Sequence, residues 1–463
     1  MKAHPTNPVS CLLALLFAVG APAAMAVDIP VTGLPVPELA GIDNAVVQVM
    51  DGNGIAGCTV GVMKAGRVIY QRGFGWRDQG TTQPMPENAT MRLASVSKVF
   101  VKEAILKLID DELLEENTKV FHLAGEEGGI LDLDPWPVCQ DPRVGDITVK
   151  QLMDMRVYWA EDYVWNSIEI YEAMGLGGNQ GYPPPVSLED MTRYALGQTM
   201  LLDPGTSINA WPDDFVAPYD GYPYSNFGYN VLVLVIEAVT GQDFYSYLRQ
   251  HLMTRNMWIP TTDFFPAQPF NTQGLREPHY FSGLSWPNLY DPNWPTVPAP
   301  YGGYNVEAMY GSSFLNSSIA PLLTYTENYG TRWIGNMPGS SAYIRDSASN
   351  NDVRIAVICN DTMSGDEAAE VIGLAVDNVI GNGVLWPTKR IDGQWIDWLE
   401  PTPSAGDGSY DVPFGSLGWA LTNSTWGTKL QFRPGDHPFT GVLNKKLRLK
   451  APLGAAKIGK NGP

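Results

Sequence analysis

The clearest hydrophobic pattern in the chain has the period of a helix. Beyond Ser97-Lys98, apolar side chains fall at Val99, Phe100, Ala104, Ile105, Leu108 and Ile109, close to the i, i+3, i+4, i+7 spacing of one buried face. This predicts a helix over about Ser95 to Asp110, with the acidic run Asp110-Asp111-Glu112 as its solvated end. A second segment, Tyr229 to Val239, is apolar nearly all round and stops at Thr240-Gly241, the pattern of a buried helix with a glycine C-cap. Further helices are expected at Ile147–Met153, Asp243–Met253 and Asp366–Ile380.

Strand patterns flank these helices. Gly57–Met63 and Val68–Gly75, separated by Lys64-Ala65-Gly66-Arg67, predict a β-hairpin. Thr331–Gly335 and Ser340–Arg345 read as strands on either side of Met337-Pro338-Gly339, and Val353–Cys359 as a buried strand. Two stretches, about 157–223 and 258–304, are rich in aromatic residues and proline. Long aromatic loops commonly wall a binding cleft, ordinary loop packing being the alternative. Residues 384–463 carry Trp395, Trp398, Trp419 and Trp426, many prolines and glycines, and a basic end. They predict a β-rich or irregular extension whose last twenty or so residues are disordered.

Composition narrows the classes. With 463 residues, 44% hydrophobic and 17% charged, the chain can bury a sizeable core. A balance of 30 basic against 49 acidic residues, net −19, argues against nucleic acid or an anionic membrane surface as partner. Residues 1–26 read as a secretory signal: Lys2, the apolar run Cys11–Val19, then Ala24-Met25-Ala26. That run is too short to span a bilayer, and no other stretch is long and apolar enough, so a soluble secreted or periplasmic protein is expected. The remaining cysteines, Cys58, Cys139 and Cys359, allow at most one disulfide, and buried free thiols suit the apolar runs around Cys58 and Cys359.

Candidate chemistry starts at Ser95-Val96-Ser97-Lys98. If Ser95 opens the helix, Lys98 lies one turn on, on the same face, and the hydroxyl sits at the positive end of the helix. An amine within reach of that hydroxyl is a candidate base, as in acyl-transferring serine hydrolases. Alone the motif is weak, since about one or two Ser-x-x-Lys matches arise by chance in a chain this long. The plain alternative is an N-capping serine and a solvated lysine. A possible partner is Tyr224-Ser225-Asn226, just before the buried helix, where a phenol can shuttle a proton and an amide can hold both a lysine and a substrate carbonyl. The histidines (His4, His122, His251, His279, His437) are scattered without metal-ligand spacing, and there is no Gly-x-Ser-x-Gly elbow, so no metal, no cofactor and no α/β-hydrolase are indicated.

Together, Ser95-x-x-Lys98, Tyr224-x-Asn226 before an apolar helix, and a late strand pair resemble the class C β-lactamase and D-alanyl-D-alanine carboxypeptidase superfamily. The likeness covers about residues 40–383. It implies an α+β fold, the sandwich of the β-lactamase/transpeptidase-like proteins: an antiparallel sheet flanked by helices, plus a mostly helical subdomain and here a small C-terminal appendage. The hydrolase domain would then span 27–383, with its α/β part at about 40–120 and 305–383 and its helical and loop part at about 121–304. The resemblance implies Ser95 as nucleophile, Lys98 and Tyr224 as acid–base groups, Asn226 as orienter, and the N–H groups of Ser95 and Asn336 as oxyanion hole.

Two departures shape the expected specificity. The third family motif, Lys-Thr-Gly or His-x-Gly, is matched in spacing by Trp333-Ile334-Gly335, then Gly339 and Tyr343, but tryptophan replaces the cation. Such a Trp-x-Gly is similar to that of the β-lactamase-like (family VIII) carboxylesterases. Without the cation a site loses an ionic contact to carboxylate-bearing substrates, and Arg332, aimed at the other face by strand alternation, does not replace it. Leu152-Met153-Asp154-Met155-Arg156-Val157 stands where relatives read Leu-Leu-x-His-x-Ser-Gly. The expected substrate is a small ester or amide, most simply a neutral ester. A peptidase, amidase or β-lactamase of the same fold, and a binding protein on a decayed scaffold, remain open.

Overall fold

The computed structural model describes residues 29–459 except 65–66, 79, 124–127, 160–162, 166, 177–184, 212–222, 253–262, 269–275, 291–295, 326–331, 349–351, 362–366, 388–393, 397–413, 425–428, 433–434, 446 and 452–455. The expected signal segment, and Trp398 and Trp426, lie outside the described residues. Among the described residues, no single helix is long and apolar enough to cross a membrane.

The central element is a six-stranded antiparallel sheet. It is formed by β1 (Val31–Thr32), β2 (Gly57–Lys64), β3 (Arg67–Gly75), β4 (Trp333–Met337), β5 (Ser340–Asp346) and β6 (Val353–Cys359), in the order β1-β3-β2-β6-β5-β4. The N-terminal hairpin and the late strands, nearly 300 residues apart in sequence, are joined where β2 pairs with β6. Strand alternation sorts the side chains into two layers. Cys58, Val60, Val62, Tyr70, Tyr343, Ile355 and Val357 face a core shared with helices α1 (Ala40–Asn53) and α4 (Ala368–Gly381). Met63, Ala342, Ile344, Ala356 and Ile358 face the larger core that holds α2 (Ser97–Asp110) and α3 (Asn226–Thr240). Both faces are therefore covered, which is why these strands read as near-continuous apolar runs.

Local sequence accounts for the helix ends that matter. Helix α3 begins where Ser225 accepts a hydrogen bond from the Gly228 N–H, and ends where Gly241 takes φ 67° and returns its N–H to the Glu237 carbonyl. Thr148 and Gln151 form a reciprocal capping box at the short helix Val149–Met153. Cys58 and Cys359 stand opposite one another on β2 and β6, buried, and all three described cysteines are free thiols.

Three expectations are corrected. The helix expected to open at about Ser95 opens at Ser97, after a 3-10 turn at Ala94–Val96 in which the Ser97 N–H returns to the Ala94 carbonyl three residues back. The helix expected over Asp243–Met253 is α-helical only at Phe244–Tyr247 and passes into a π turn at Leu248–Leu252. The expected disorder of the last residues is corrected only where they are described, since Arg448–Lys450 and Ala456–Gly459 pair in parallel with Lys429–Phe432 and Gly435–Pro438, and other residues of that stretch lie outside the described residues. This extension packs its own small core of Phe414, Leu417, Ala420, Leu421, Leu430 and Phe432.

Candidate active site

Ser95 sits in a turn pinned from two sides. The two-residue strand Met91–Arg92 pairs with Leu315–Ser317, and the Leu93 N–H continues the tie to the Leu315 carbonyl at 2.8 Å. From the main sheet, the Ser340 hydroxyl donates to the Arg92 carbonyl at 2.8 Å. Arg92 is buried, donates to the Pro300 carbonyl and lies 3.7 Å from the Glu277 carboxylate. The Tyr280 hydroxyl accepts from the Arg92 N–H and donates to Glu277 at 2.6 Å, so burial and that carboxylate push the Tyr280 phenol well above its usual pKa. A left-handed alanine beside Ser95 is strain of the kind that clusters at functional sites, held here by these surrounding bonds.

The amine of Lys98 is the hub of the polar cluster. It lies in the first turn of α2, fully buried, and donates to Ser95 Oγ at 3.1 Å, to Asn226 Oδ1 at 2.7 Å and to the Ser312 carbonyl at 2.9 Å. These three oxygens give the buried amine hydrogen-bond partners in either protonation state. The Tyr224 hydroxyl is 2.5 Å from Ser95 Oγ, and the Tyr224 ring lies 4.8 Å from Lys98 Nζ. Ser95, Lys98, Tyr224 and Asn226, 131 residues apart at their extremes, thus share one hydrogen-bonded network. The solvated-lysine alternative is excluded by the burial, and the Ser95 side chain caps nothing.

Strand β4, the sheet's outer edge, closes the other side. A Cβ on Gly335 would stand 2.7 Å from Ser95 N, which places that part of the strand directly against the turn. The two-residue loop Pro338-Gly339 makes Met337/Ser340 a hydrogen-bonded pair, and alternation then leaves the Asn336 N–H on the open edge. Trp333, two residues before Gly335, shares its face and packs on the core that holds α2, whereas Ile334 packs on the opposite core. The indole Nε1 of Trp333 is buried and has no acceptor among the described residues. Arg332 pairs with Glu370 on α4, across the sheet from Ser95, as alternation required.

The wall that departs from the family pattern is ordered by other means. Met155 adopts a left-handed φ of 57°, the Gly205 N–H donates to the Arg156 carbonyl, and the Tyr158 hydroxyl donates to the Thr206 carbonyl. The two aromatic stretches meet at a depression lined by Val164, Ser167 and Glu169 from the first and Trp286, Leu289 and Tyr304 from the second.

Sequence reasoning brought out every side chain of the polar cluster and missed its backbone member. The Ser312 carbonyl carries no signature, since any residue could supply it. Tyr229, whose ring lies 5.9 Å from Lys98 Nζ and whose hydroxyl donates to the Met153 carbonyl, stands out in the sequence only as part of a buried helix. Burial pushes its phenol above the usual value.

Comparison with known proteins gives the family. Residues 42–326 match the family described as Beta-lactamase. Among curated proteins, Protein flp of Staphylococcus aureus (strain MW2) is 24% identical over 45% of this chain and 35% of its own length. Penicillin-binding protein 4* of Bacillus subtilis (strain 168) is 24% identical over 41% of this chain and 34% of its own. The matched part thus spans about a third of these relatives. The octameric penicillin-binding protein homologue from Pyrococcus abyssi shows 17% identity and a TM-score of 0.49, covering 74% of this chain and 77% of that one. The β-lactamase/D-alanine carboxypeptidase from Yersinia pestis shows 13% identity and the same TM-score of 0.49, covering 74% and 98%. With its family match running through both the Ser95–Lys98 turn and the Tyr224–Asn226 segment, this chain belongs to the β-lactamase family of serine hydrolases.

Proposed function

We propose that the protein is an exported carboxylesterase acting on small neutral esters through an acyl-enzyme. The observation that carries this reading is the coupling of an intact Ser95–Lys98–Tyr224–Asn226 network to a neutral Trp333 where a family member that holds carboxylates has a cation.

Ser95 Oγ attacks the ester carbonyl carbon as its proton passes to the Lys98–Tyr224 pair, and the carbonyl oxygen becomes an oxyanion. The Ser95 and Asn336 N–H groups receive that charge, a contribution of about 3 kcal/mol per donor in such sites. Collapse expels the alcohol, protonated by Tyr224, and leaves the acyl group on Ser95. Water deprotonated by the same pair then attacks the acyl carbon and restores Ser95. Asn226 orients Lys98 through its Oδ1. Lys98 and Tyr224 both contact Ser95 Oγ and act as one acid–base pair in this scheme.

A neutral indole gives no ionic contact to a substrate carboxylate, and Arg332 is committed to Glu370 on the far face. Export is supported by the apolar run and Ala24-Met25-Ala26 near the N-terminus. The test uses the mature protein with a short-chain p-nitrophenyl ester and a chromogenic cephalosporin, beside Ser95→Ala. Ester cleavage lost in Ser95→Ala, with little cephalosporin turnover, is expected. Cephalosporin hydrolysis or stable penicillin acylation would shift the assignment to the lactamase and peptidase branch, and ester cleavage surviving Ser95→Ala would remove the mechanism.

A further inference from the structure

Helix α3 is apolar around nearly its whole circumference, yet two asparagines, Asn226 and Asn230, are buried on it one turn apart. Residues four apart share a face, so both amides point to the same side. Asn226 Oδ1 accepts from Lys98 directly at 2.7 Å. Asn230 Oδ1 accepts from the Ser312 N–H at 2.8 Å, and the carbonyl of that same Ser312 accepts from Lys98 at 2.9 Å. One helix face therefore grips the lysine twice, once by a side chain and once through a backbone unit that Asn230 holds.

The second grip has a cost. Asn230 is fully buried, and its Nδ2 has no partner among the described residues. An unmade donor in such a place opposes stability, although the same side chain satisfies the buried Ser312 N–H. Apolar packing alone gives no reason for an asparagine here.

Fixing Ser312 does give one. With two N–H bonds of the amine directed at Asn226 Oδ1 and the Ser312 carbonyl, the remaining corner of the tetrahedral nitrogen faces Ser95 Oγ. That corner carries the lone pair when Lys98 is neutral. Two fixed acceptors thus aim the base, and with one loosened the amine can turn its lone pair away from the serine. We infer that Asn230 is a positioning residue, which sets the orientation of Lys98 through the Ser312 peptide and so governs how readily Ser95 is deprotonated. This rests on the serine-hydrolase reading of the site and is independent of the substrate.

The test measures the rate at which a fluorophosphonate probe labels Ser95, which reads activation of the nucleophile whichever ester or amide is natural. Asn230→Leu keeps the branched shape and removes the acceptor; Asn230→Asp keeps an acceptor and adds charge; Val235→Ala, buried on the same helix, controls for a packing defect. Asn230→Leu is expected to slow labelling by about 10- to 100-fold, the scale of a small misalignment in a reacting pair. Ester turnover, where present, should lose kcat with KM nearly unchanged. The two variants should also move the acid limb of the labelling profile in opposite directions: Leu to lower pH, because the loosened Ser312 carbonyl holds the ammonium less firmly, and Asp to higher pH, because a carboxylate favours the ammonium. Tyr224 and Tyr229 also face the amine and are common to all variants.

Slowing in Asn230→Leu no greater than in Val235→Ala of matched melting temperature, or acid limbs that coincide, would overturn the inference. Wild-type protein that resists labelling at Ser95 would overturn the serine-hydrolase reading and this inference with it, whereas labelled protein without ester turnover would affect the esterase assignment alone.

Discussion

Gly335 lies so close to the turn that bears Ser95 that a Cβ there would stand 2.4 Å from the Leu93 carbonyl oxygen and 2.7 Å from the Ser95 nitrogen. Both contacts are with backbone, which cannot swing aside as the end of a flexible side chain can. Gly335→Ala should therefore push edge strand β4 and the turn apart, separating the two N–H groups proposed for the oxyanion. The expected result is a fall in kcat/KM of about 100-fold or more, with circular dichroism showing the sheet retained. Activity within a few-fold of wild type would show that this close approach does not matter to the chemistry.

Tyr224→Phe removes a hydroxyl 2.5 Å from Ser95 Oγ and keeps the ring beside Lys98. Because the change deletes a proton-transfer group with little loss of packing, kcat should drop by about 10²–10⁴ while the melting temperature stays close to wild type. Steady-state kinetics with a p-nitrophenyl ester, paired with a thermal melt, checks both halves.

Trp333→Lys places an ammonium on the strand face that Gly335 presents to Ser95. If the neutral indole sets the preference for uncharged acyl groups, the ratio of carboxylate-bearing to neutral substrate turnover should rise at least about tenfold, the worth of one charge-assisted contact. Competition between a penicillin and a neutral ester for Ser95 measures that ratio. An unchanged ratio would remove Trp333 from the specificity argument.

Asp141 gives a pH prediction away from the site. Its carboxylate accepts from the Arg143 guanidinium at 2.6 and 2.9 Å and from the Met200 and Arg143 N–H groups, and the Arg143 bonds hold its pKa well below the usual carboxylate range. In the unfolded chain the group titrates near pH ~3.9. A folded pKa below the unfolded one means stabilisation that is complete above that value and lost as pH falls through the folded pKa. Asp141→Asn should therefore be less stable than wild type at pH 7, by about 2 kcal/mol, with the difference shrinking below about pH 4. Denaturant melts of both proteins at several pH values between 2.5 and 7 would show this, and a constant gap across the range would count against the ion pair as its cause.

Much of the framework was legible because it rests on local rules. Period-3.6 burial gave α2, all-round apolarity gave most of α3, Gly241 marked the end of α3, and apolar runs bounded by turn residues gave both hairpins and β6. The spacing of Ser95 and Lys98 on successive turns, and strand alternation at Arg332 and Trp333, are geometric consequences of chain position, so the directions of these side chains followed from their order alone.

Tertiary packing decided what no local window contains. The left-handed Ala94 that lifts Ser95 out of the helix is held by bonds to Leu315 and Ser340, more than 200 residues away. Whether Lys98 is a solvated lysine or a buried hub depends on α3 and the Ser312 segment closing over it, and the Ser312 contribution is a main-chain carbonyl that leaves no trace in residue identity. Asn230 did leave a trace, a buried amide on an apolar helix, but its meaning came only with the partner that folding set beside it. The sequence determined which groups the site has and which way each faces along its own element. The distances that make them a reactive set arise from non-local packing of strands and helices, where the free energy belongs to contacts between segments and not to any one of them.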